Sequence, residues 1–147
     1  MRGGNDLSAK LRHVYDQSSI FKGCMKSDEH KEQVNLIQWW RYTCKSLGVP
    51  EICLFAIPNG GQRNIVTASK LKCEGVRPGI PDLFLAYPAG EYCGLFIEMK
   101  RENGGVASEY QENCINIFNK CGYRAIICHG WLDAKSAIVS YLKSKIY

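Results

Sequence analysis

The pattern of apolar and polar positions divides the chain into alternating helices and strands. Residues 28–48 place apolar side chains at helical spacing behind a Ser27 or Asp28 cap. By contrast, EICLFAI (51–57) is a continuous apolar run typical of a buried strand. In chain order the pattern predicts helix, strand, helix, strand, strand, helix, strand and helix, over residues 28–48, 51–57, 65–73, 83–86, 95–99, 108–122, 125–128 and 133–143.

The lengths of the connections predict how the strands pair. Residues 83–86 and 95–99 are joined by the turn-rich YPAGEYCG, which is short enough to indicate an antiparallel hairpin. The helix over 108–122 then leads to the next strand, and a helical connection favours a parallel crossover. The predicted fold is therefore α/β, with a mixed sheet flanked by helices. The helix over 108–122 is expected to bury an apolar face made of Tyr110, Cys114, Ile117, Phe118 and Cys121.

The length of 147 residues suits one compact domain. Weak periodicity over residues 1–27 predicts a poorly defined arm, which leaves residues 28–147 as the folded domain. The chain has no apolar stretch near the roughly 18–20 residues that span a bilayer, and its first residues lack the apolar core of a signal peptide. We expect a soluble cytoplasmic protein that does not contact a membrane.

Charge and cysteine content narrow the function only slightly. The net charge of +5 mildly favours a polyanionic partner. The eight cysteines show no C-x₂-C spacing, so a cysteine-based metal or redox protein is the weakest of the functional hypotheses. Most of the cysteines replace apolar residues within predicted elements, and we expect them to be buried free thiols.

The hairpin places three charged residues together. Asp82 begins one strand, and Glu98 and Lys100 end the next. Residues two apart in a strand share a face, and the start of one hairpin strand lies opposite the end of its partner. Two carboxylates and an ammonium group are therefore expected to converge at one edge of the sheet.

Two interpretations of this cluster are open. An ordinary salt bridge of Asp82 or Glu98 with Lys100 is the simpler one. Alternatively, the two carboxylates hold Mg²⁺ or Mn²⁺, both of which prefer oxygen ligands. The metal would activate water and offset charge on a phosphate, while Lys100 would orient or deprotonate the attacking water or stabilise the transition state. Phosphodiester hydrolysis requires such an arrangement.

Six segments between about Glu29 and Leu142 form a recognisable series: EHKEQ (29–33), FAIPNGG (55–61), K-x-EGVRPGIPDLFL (72–85), GLFIEMKR (94–101), S-x-x-Q (108–111) and GY-x₄-CHGW (122–131). Through these segments the sequence resembles the VRR-NUC family of the PD-(D/E)xK nuclease superfamily, and most of all its stand-alone, phage-type branch. The resemblance covers most of the chain in the right order.

The resemblance implies a restriction-endonuclease-like core with Lys100 as the catalytic lysine. It implies that Asp82, Glu98 and the backbone carbonyl of Met99 bind the metal. It also implies a contribution from a glutamate of the first helix, most naturally Glu29, although Glu32 lies one turn later and could replace it.

Gln111 is a further site residue by resemblance. The spacing of Ser108 and Gln111 equally fits a capping box, in which the Gln side chain returns to the cap backbone. His129 and Trp131 follow a predicted strand, where they line the site or belong to the core.

The expected function is a Mg²⁺- or Mn²⁺-dependent DNA endonuclease acting on Holliday junctions or flaps, with no nucleotide cofactor. The alternative is a nucleic-acid-binding module without catalysis.

A homodimer would provide two sites for two strands, and a phage-encoded protein would act in the host cytoplasm. Five basic residues flank the site in sequence and are expected to contact DNA: Arg63, Lys70, Lys72, Arg77 and Arg101.

Overall fold

The computed structural model describes residues 28–58 and 65–144. A 3₁₀ turn, Glu51–Cys53, accompanies eight regular elements. In chain order these are α1 (Asp28–Thr43), β1 (Leu54–Ala56), α2 (Ile65–Cys73), β2 (Leu83–Leu85), β3 (Leu95–Lys100), α3 (Glu109–Lys120), β4 (Arg124–His129) and α4 (Trp131–Lys143). The predicted order of helices and strands is confirmed.

The four strands form one mixed sheet in the order β1-β2-β3-β4. β1 pairs antiparallel with β2, and β2 pairs antiparallel with β3. β4 runs parallel to β3 because α3 carries the chain back across the sheet between them. The hairpin and the crossover that the connection lengths predicted are therefore both present.

One sheet face forms the main core. Leu83, Leu85, Leu95, Ile97 and Met99 alternate along β2 and β3 and are at most 2% exposed. They pack against buried side chains of α1 and α4, because both helices carry apolar residues at helical spacing. The buried helix residues are Leu36, Trp40, Ala134, Ile138, Tyr141 and Leu142.

The other face carries a row of aromatic rings. Phe84 stacks on Phe96 with ring centroids 4.3 Å apart, and Phe96 stacks on Phe118 of α3 at 4.4 Å. Phe118 is the apolar residue of α3 that stacks on this row, and the apolar face predicted for α3 was too wide. Tyr110 and Ile117 are 67% and 46% exposed. Cys121 is also exposed, whereas Cys114 is half-buried.

Two further expectations need correction. The segment 51–57 does not begin as a strand, because Glu51–Cys53 forms a 3₁₀ turn after Pro50 and leaves only Leu54–Ala56 extended. Of the seven cysteines in the described part of the chain, all are free, but only Cys44 and Cys128 are buried.

Some expectations fall on residues that the structure does not describe. These are the arm over 1–27 and the proposed DNA contact at Arg63. Among the described helices, none is long and apolar enough to cross a membrane.

Candidate active site

The β2–β3 hairpin brings the three predicted catalytic residues to one end of one sheet face. Leu83 pairs with Ile97, so Asp82, which precedes β2, lies opposite Glu98. Glu98 and Lys100 are two positions apart in β3 and share a face. It is the face with the aromatic rings, since Phe84 and Phe96 have the same parity along their strands.

A buried ion pair joins the two β3 residues. Lys100 Nζ donates to Glu98 Oε1 at 2.8 Å, and the two side chains are 8% and 2% exposed. An ordinary salt bridge at a strand edge is exposed, so its two charged groups keep most of their hydration. This pair is buried, and burying both charges is expensive unless further partners satisfy them.

Asp82 is held in place through both its backbone and its side chain. Its Oδ2 accepts the Met99 N–H at 2.9 Å, and its carbonyl accepts the Ile57 N–H at 2.7 Å. The preceding loop lies directly on α3: a Cβ at Gly79 would stand 2.5 Å from the backbone oxygen of Tyr110. Only glycine permits this approach, and Gly79 also has φ +83°. The loop thus places Asp82 beside the first turn of α3.

Gln111, in the first turn of α3, both belongs to the capping box and contacts Glu98, the two roles that the sequence offered as alternatives. Its Oε1 accepts the Ser108 backbone N–H at 2.9 Å, and its own backbone N–H donates to Ser108 Oγ at 3.4 Å, which together form the capping box. The Ser108 hydroxyl also donates to Oε1 at 3.2 Å. Its Nε2 donates to Glu98 Oε1. A backbone N–H can only donate, so the amide oxygen must face Ser108 and the amide nitrogen must face Glu98. Capping and contact with the site are therefore compatible.

Burial raises the pKa of both carboxyl groups. The pKa of Glu98 rises from its ordinary 4.5 to about 7, because burial outweighs the bond from Lys100 and the charge of Asp82 adds to it. Burial also raises the pKa of Asp82 above 3.8, although the Met99 N–H opposes this. A cation between the two carboxylates would favour their charged forms.

The two glutamates of α1 occupy different positions. Glu32 Oε2 accepts the backbone N–H of Trp131, the first residue of α4, at 2.7 Å. Glu29 is exposed. Burial is the main cause of the raised pKa of Asp82 and of Glu98, and the negative charge of Glu29 raises both pKa values a little further. Glu29 is therefore within electrostatic reach of the carboxylates, while Glu32 joins α1 to α4. This arrangement favours Glu29 over Glu32 as the site residue.

We expect Glu32→Ala to lower the free energy of unfolding by about 1–3 kcal/mol, because it removes a charged acceptor from a partly buried N–H. Glu29→Ala should change it by less than about 0.5 kcal/mol, since Glu29 is exposed. Urea unfolding of both variants and of Glu32→Gln, which keeps an acceptor, measures the difference. Equal losses from the two alanine variants would contradict separate roles.

The donor set fits a divalent metal ion. Glu98 Oε2 is buried and has no hydrogen-bond partner among the described residues, which is costly for a carboxylate oxygen. It lies beside Asp82, whose Oδ1 is not needed for the bond to Met99. Within residues 28–58 and 65–144, no group of three or more His, Cys, Asp or Glu side chains is arranged to hold a metal ion, so the protein side chains would supply two carboxylates at most. Mg²⁺ typically binds to one or two carboxylates and keeps several waters.

The predicted DNA-binding residues that the structure describes lie at the surface. Lys72, Arg77 and Arg101 are exposed, and Arg101 donates to the carbonyl of Gly104 at 3.2 Å. Lys70 pairs with Glu74 at 3.9 Å, an exposed i,i+4 pair that contributes little.

His129 and Trp131 take different places at the end of β4. His129 is the register partner of Lys100 and is exposed, so it borders the site on the β4 side. Trp131 packs against the core. The sequence pattern placed His129 after a strand but could not show this pairing.

Comparison with known proteins gives a consistent result. The VRR-NUC domain family model matches residues 19–131, which include α1, the hairpin and α3. A solved structure described as a "VRR_NUC domain protein" has a TM-score of 0.71 and 29% sequence identity, over 82% of this chain and 92% of that one. No curated protein matches the chain. Since the family model covers well over half of the sequence, the chain belongs to the VRR-NUC family of nuclease-type domains, with a fold consistent with the restriction-endonuclease-like PD-(D/E)xK core.

Proposed function

We propose that the protein is a divalent-metal-dependent endonuclease that hydrolyses phosphodiester bonds in branched DNA, such as Holliday junctions or flaps. The observation that carries the proposal is the buried Oε2 of Glu98, which accepts no hydrogen bond from residues 28–58 or 65–144. This oxygen lies opposite Asp82 and on the same face as Lys100. Two carboxylates and an ammonium group form a set suited to Mg²⁺ or Mn²⁺ and a phosphate.

Asp82, Glu98 and the Met99 carbonyl would hold the metal, with Glu29 contributing from α1. When bound, the metal would supply Lewis-acid activation of water and offset charge on the phosphate. Lys100 carries three N–H donors, so its bond to Glu98 leaves two for the attacking water or a phosphate oxygen. Gln111 holds Glu98 in place through its amide.

The exposed basic residues would hold the DNA backbone. Lys72 and Arg77 lie in the segment that leads to Asp82, and Arg101 directly follows Lys100. Lys or Arg contacts with phosphates release counterions, so binding should weaken steeply as salt rises. Arg63 and Lys70 would extend this contact. Two copies of the chain would offer two sites to the two strands of a junction, so we include a homodimer in the proposal.

Purified protein incubated with supercoiled plasmid, linear duplex and a four-way junction, in Mg²⁺, Mn²⁺ or EDTA, tests the function. Asp82→Asn should abolish cleavage. Asp133→Asn is the matched control, because Asp82 and Asp133 each accept a backbone N–H at 2.9 Å. Light scattering with and without DNA tests the dimer, and a monomer mass in both would refute it. DNA binding without cleavage under any condition would instead indicate a non-catalytic binding module.

A further inference from the structure

The contacts around Glu98 divide its two oxygens between different tasks. Oε1 accepts from both Lys100 Nζ and Gln111 Nε2. Oε2 has no hydrogen-bond partner in the part of the chain that the structure describes. Two donors from different elements, Lys100 on β3 and Gln111 on α3, restrict the rotation of the carboxylate about Oε1. The bonds to Oε1 therefore determine where Oε2 points.

The orientation of Gln111 depends in turn on Ser108. The Ser108 backbone N–H and hydroxyl both donate to Gln111 Oε1, at 2.9 and 3.2 Å. If the amide turned over, its N–H₂ group would face the Ser108 backbone N–H, which can only donate, and its oxygen would face a carboxylate acceptor. Both contacts would then be repulsive. The cap consequently selects the one amide orientation that donates to Glu98.

We propose that Ser108 is a positioning residue for the metal site. Its two donors hold the Gln111 amide on Glu98 Oε1, and this keeps Glu98 Oε2 directed at the metal. The proposal rests on the proposed function, because it assigns Oε2 to a metal ion. The serine that caps α3 would therefore also set the geometry of a metal ligand on β3.

Outer partners of metal ligands commonly change metal affinity by 10–100-fold. Ser108 acts through Gln111, and its backbone N–H remains in every variant, so we expect a smaller effect. Ser108→Ala and Ser108→Gly should weaken Mn²⁺ binding about three- to tenfold. Glycine is a tolerated N-cap, so Ser108→Gly removes the hydroxyl with little cost to the helix. Ser108→Thr keeps a hydroxyl and should bind Mn²⁺ like the wild type.

The control variant weakens the other end of α3. Asn119 Nδ2 donates to the carbonyls of Ile115 and Ala125, both at 2.9 Å. Asn119 Oδ1 accepts the Ala125 N–H at 3.0 Å. Asn119→Ala therefore removes helix-end hydrogen bonds without touching Glu98. If Ser108 acts only on helix stability, Ser108→Ala and Asn119→Ala should weaken Mn²⁺ binding equally.

Two readouts are needed. Isothermal titration calorimetry gives the Mn²⁺ affinity of each variant without DNA. NMR of the metal-free protein follows the Gln111 side-chain amide, which should be slow to exchange in the wild type and in Ser108→Thr. In Ser108→Gly the same amide should exchange faster.

The outcomes separate the two proposals. Weaker Mn²⁺ binding with a loosened Gln111 amide, in the Ala and Gly variants only, supports the positioning role. Wild-type affinity in Ser108→Gly, or equal losses in Ser108→Ala and Asn119→Ala, overturns it while leaving the proposed function intact. A wild-type protein that neither binds Mn²⁺ nor cleaves DNA refutes the proposed function, and the metal-positioning role with it.

Discussion

The Lys100→Met protein is expected to lose about a thousandfold in cleavage rate and, without metal, to unfold more easily than the wild type. Removing one group that stabilises charge or transfers a proton in the transition state typically costs 10²–10⁴-fold. Lys100 is the ammonium group that the fold brings into direct contact with Glu98. Methionine has a similar length and apolar stem, so the main loss is the charge.

The stability effect follows from burial of the ion pair. Glu98, which is 1% exposed in the wild type, loses its cationic partner in the variant. Breaking a buried pair from one side typically costs about 3–5 kcal/mol. Here this is an upper limit, because Glu98 can take up a proton and Gln111 still donates to it. A divalent ion should recover part of the loss, since ligands that bind only the folded state stabilise it.

Urea unfolding with and without Mn²⁺, together with cleavage assays, measures both effects. The double variant Glu98→Gln/Lys100→Met removes both charges and should recover stability without recovering cleavage. Lys120→Met, which removes an exposed lysine of α3, is the control for losing one positive charge. A Lys100→Met protein that cleaves DNA at the wild-type rate would remove Lys100 from the mechanism.

The sequence predicted the local elements well where a clear signal marks their ends. α2 has the predicted limits, and α3 begins directly after its Ser108 cap. The stretch before β1 was mistaken for strand because an apolar run alone does not separate a strand from a 3₁₀ turn. The limits of α1 were overextended because residues 44–48 form turns rather than helix.

The width of a buried face was harder to predict than its existence. α3 has a clear apolar stripe in sequence, yet Phe118 is the residue of that stripe that stacks on the aromatic rings of the sheet. Exposure of Tyr110 and Ile117 depends on how α3 lies across β3 and β4, which is a property of the assembled fold. Helical periodicity gives a direction for the apolar side chains but not the extent of the contact.

The candidate site was predictable to the extent that it depends on strand parity. Asp82, Glu98 and Lys100 follow from a hairpin and a period of two. Glu29 and Glu32 lie one turn apart on α1, so only the position of α4 separates their roles. The two uses of Gln111 could not be separated in sequence, because the S-x-x-Q spacing serves both.

Without metal, the protein should become less stable as pH rises from about 5 to 8. The pKa of Glu98 in the folded protein is raised from 4.5 to about 7, mainly by burial. Between these values the folded state holds a proton that the unfolded state has released. Stability therefore falls with rising pH across that window and levels off above it.

The size of the effect has an upper limit. Each pKa unit corresponds to about 1.4 kcal/mol, so the shift of Glu98 allows a loss of up to about 3 kcal/mol. The pKa of Asp82 is also raised, mainly by burial, and acts in the same direction at lower pH. Glu98→Gln cannot ionise, so most of the loss above pH 5 should disappear in that variant.

Urea unfolding at a series of pH values, in EDTA and in Mn²⁺, tests this expectation. In Mn²⁺ the pH dependence should reverse, because deprotonated carboxylates bind the ion and binding stabilises the folded state. Glu91→Gln, an exposed glutamate outside the site, should follow the wild-type curve. If the metal-free wild type and Glu98→Gln lose stability equally between pH 5 and 8, Glu98 is not the buried titrating group. A reversal by Mn²⁺ would show that a bound cation compensates the burial that penalises the charged carboxylates in the free protein.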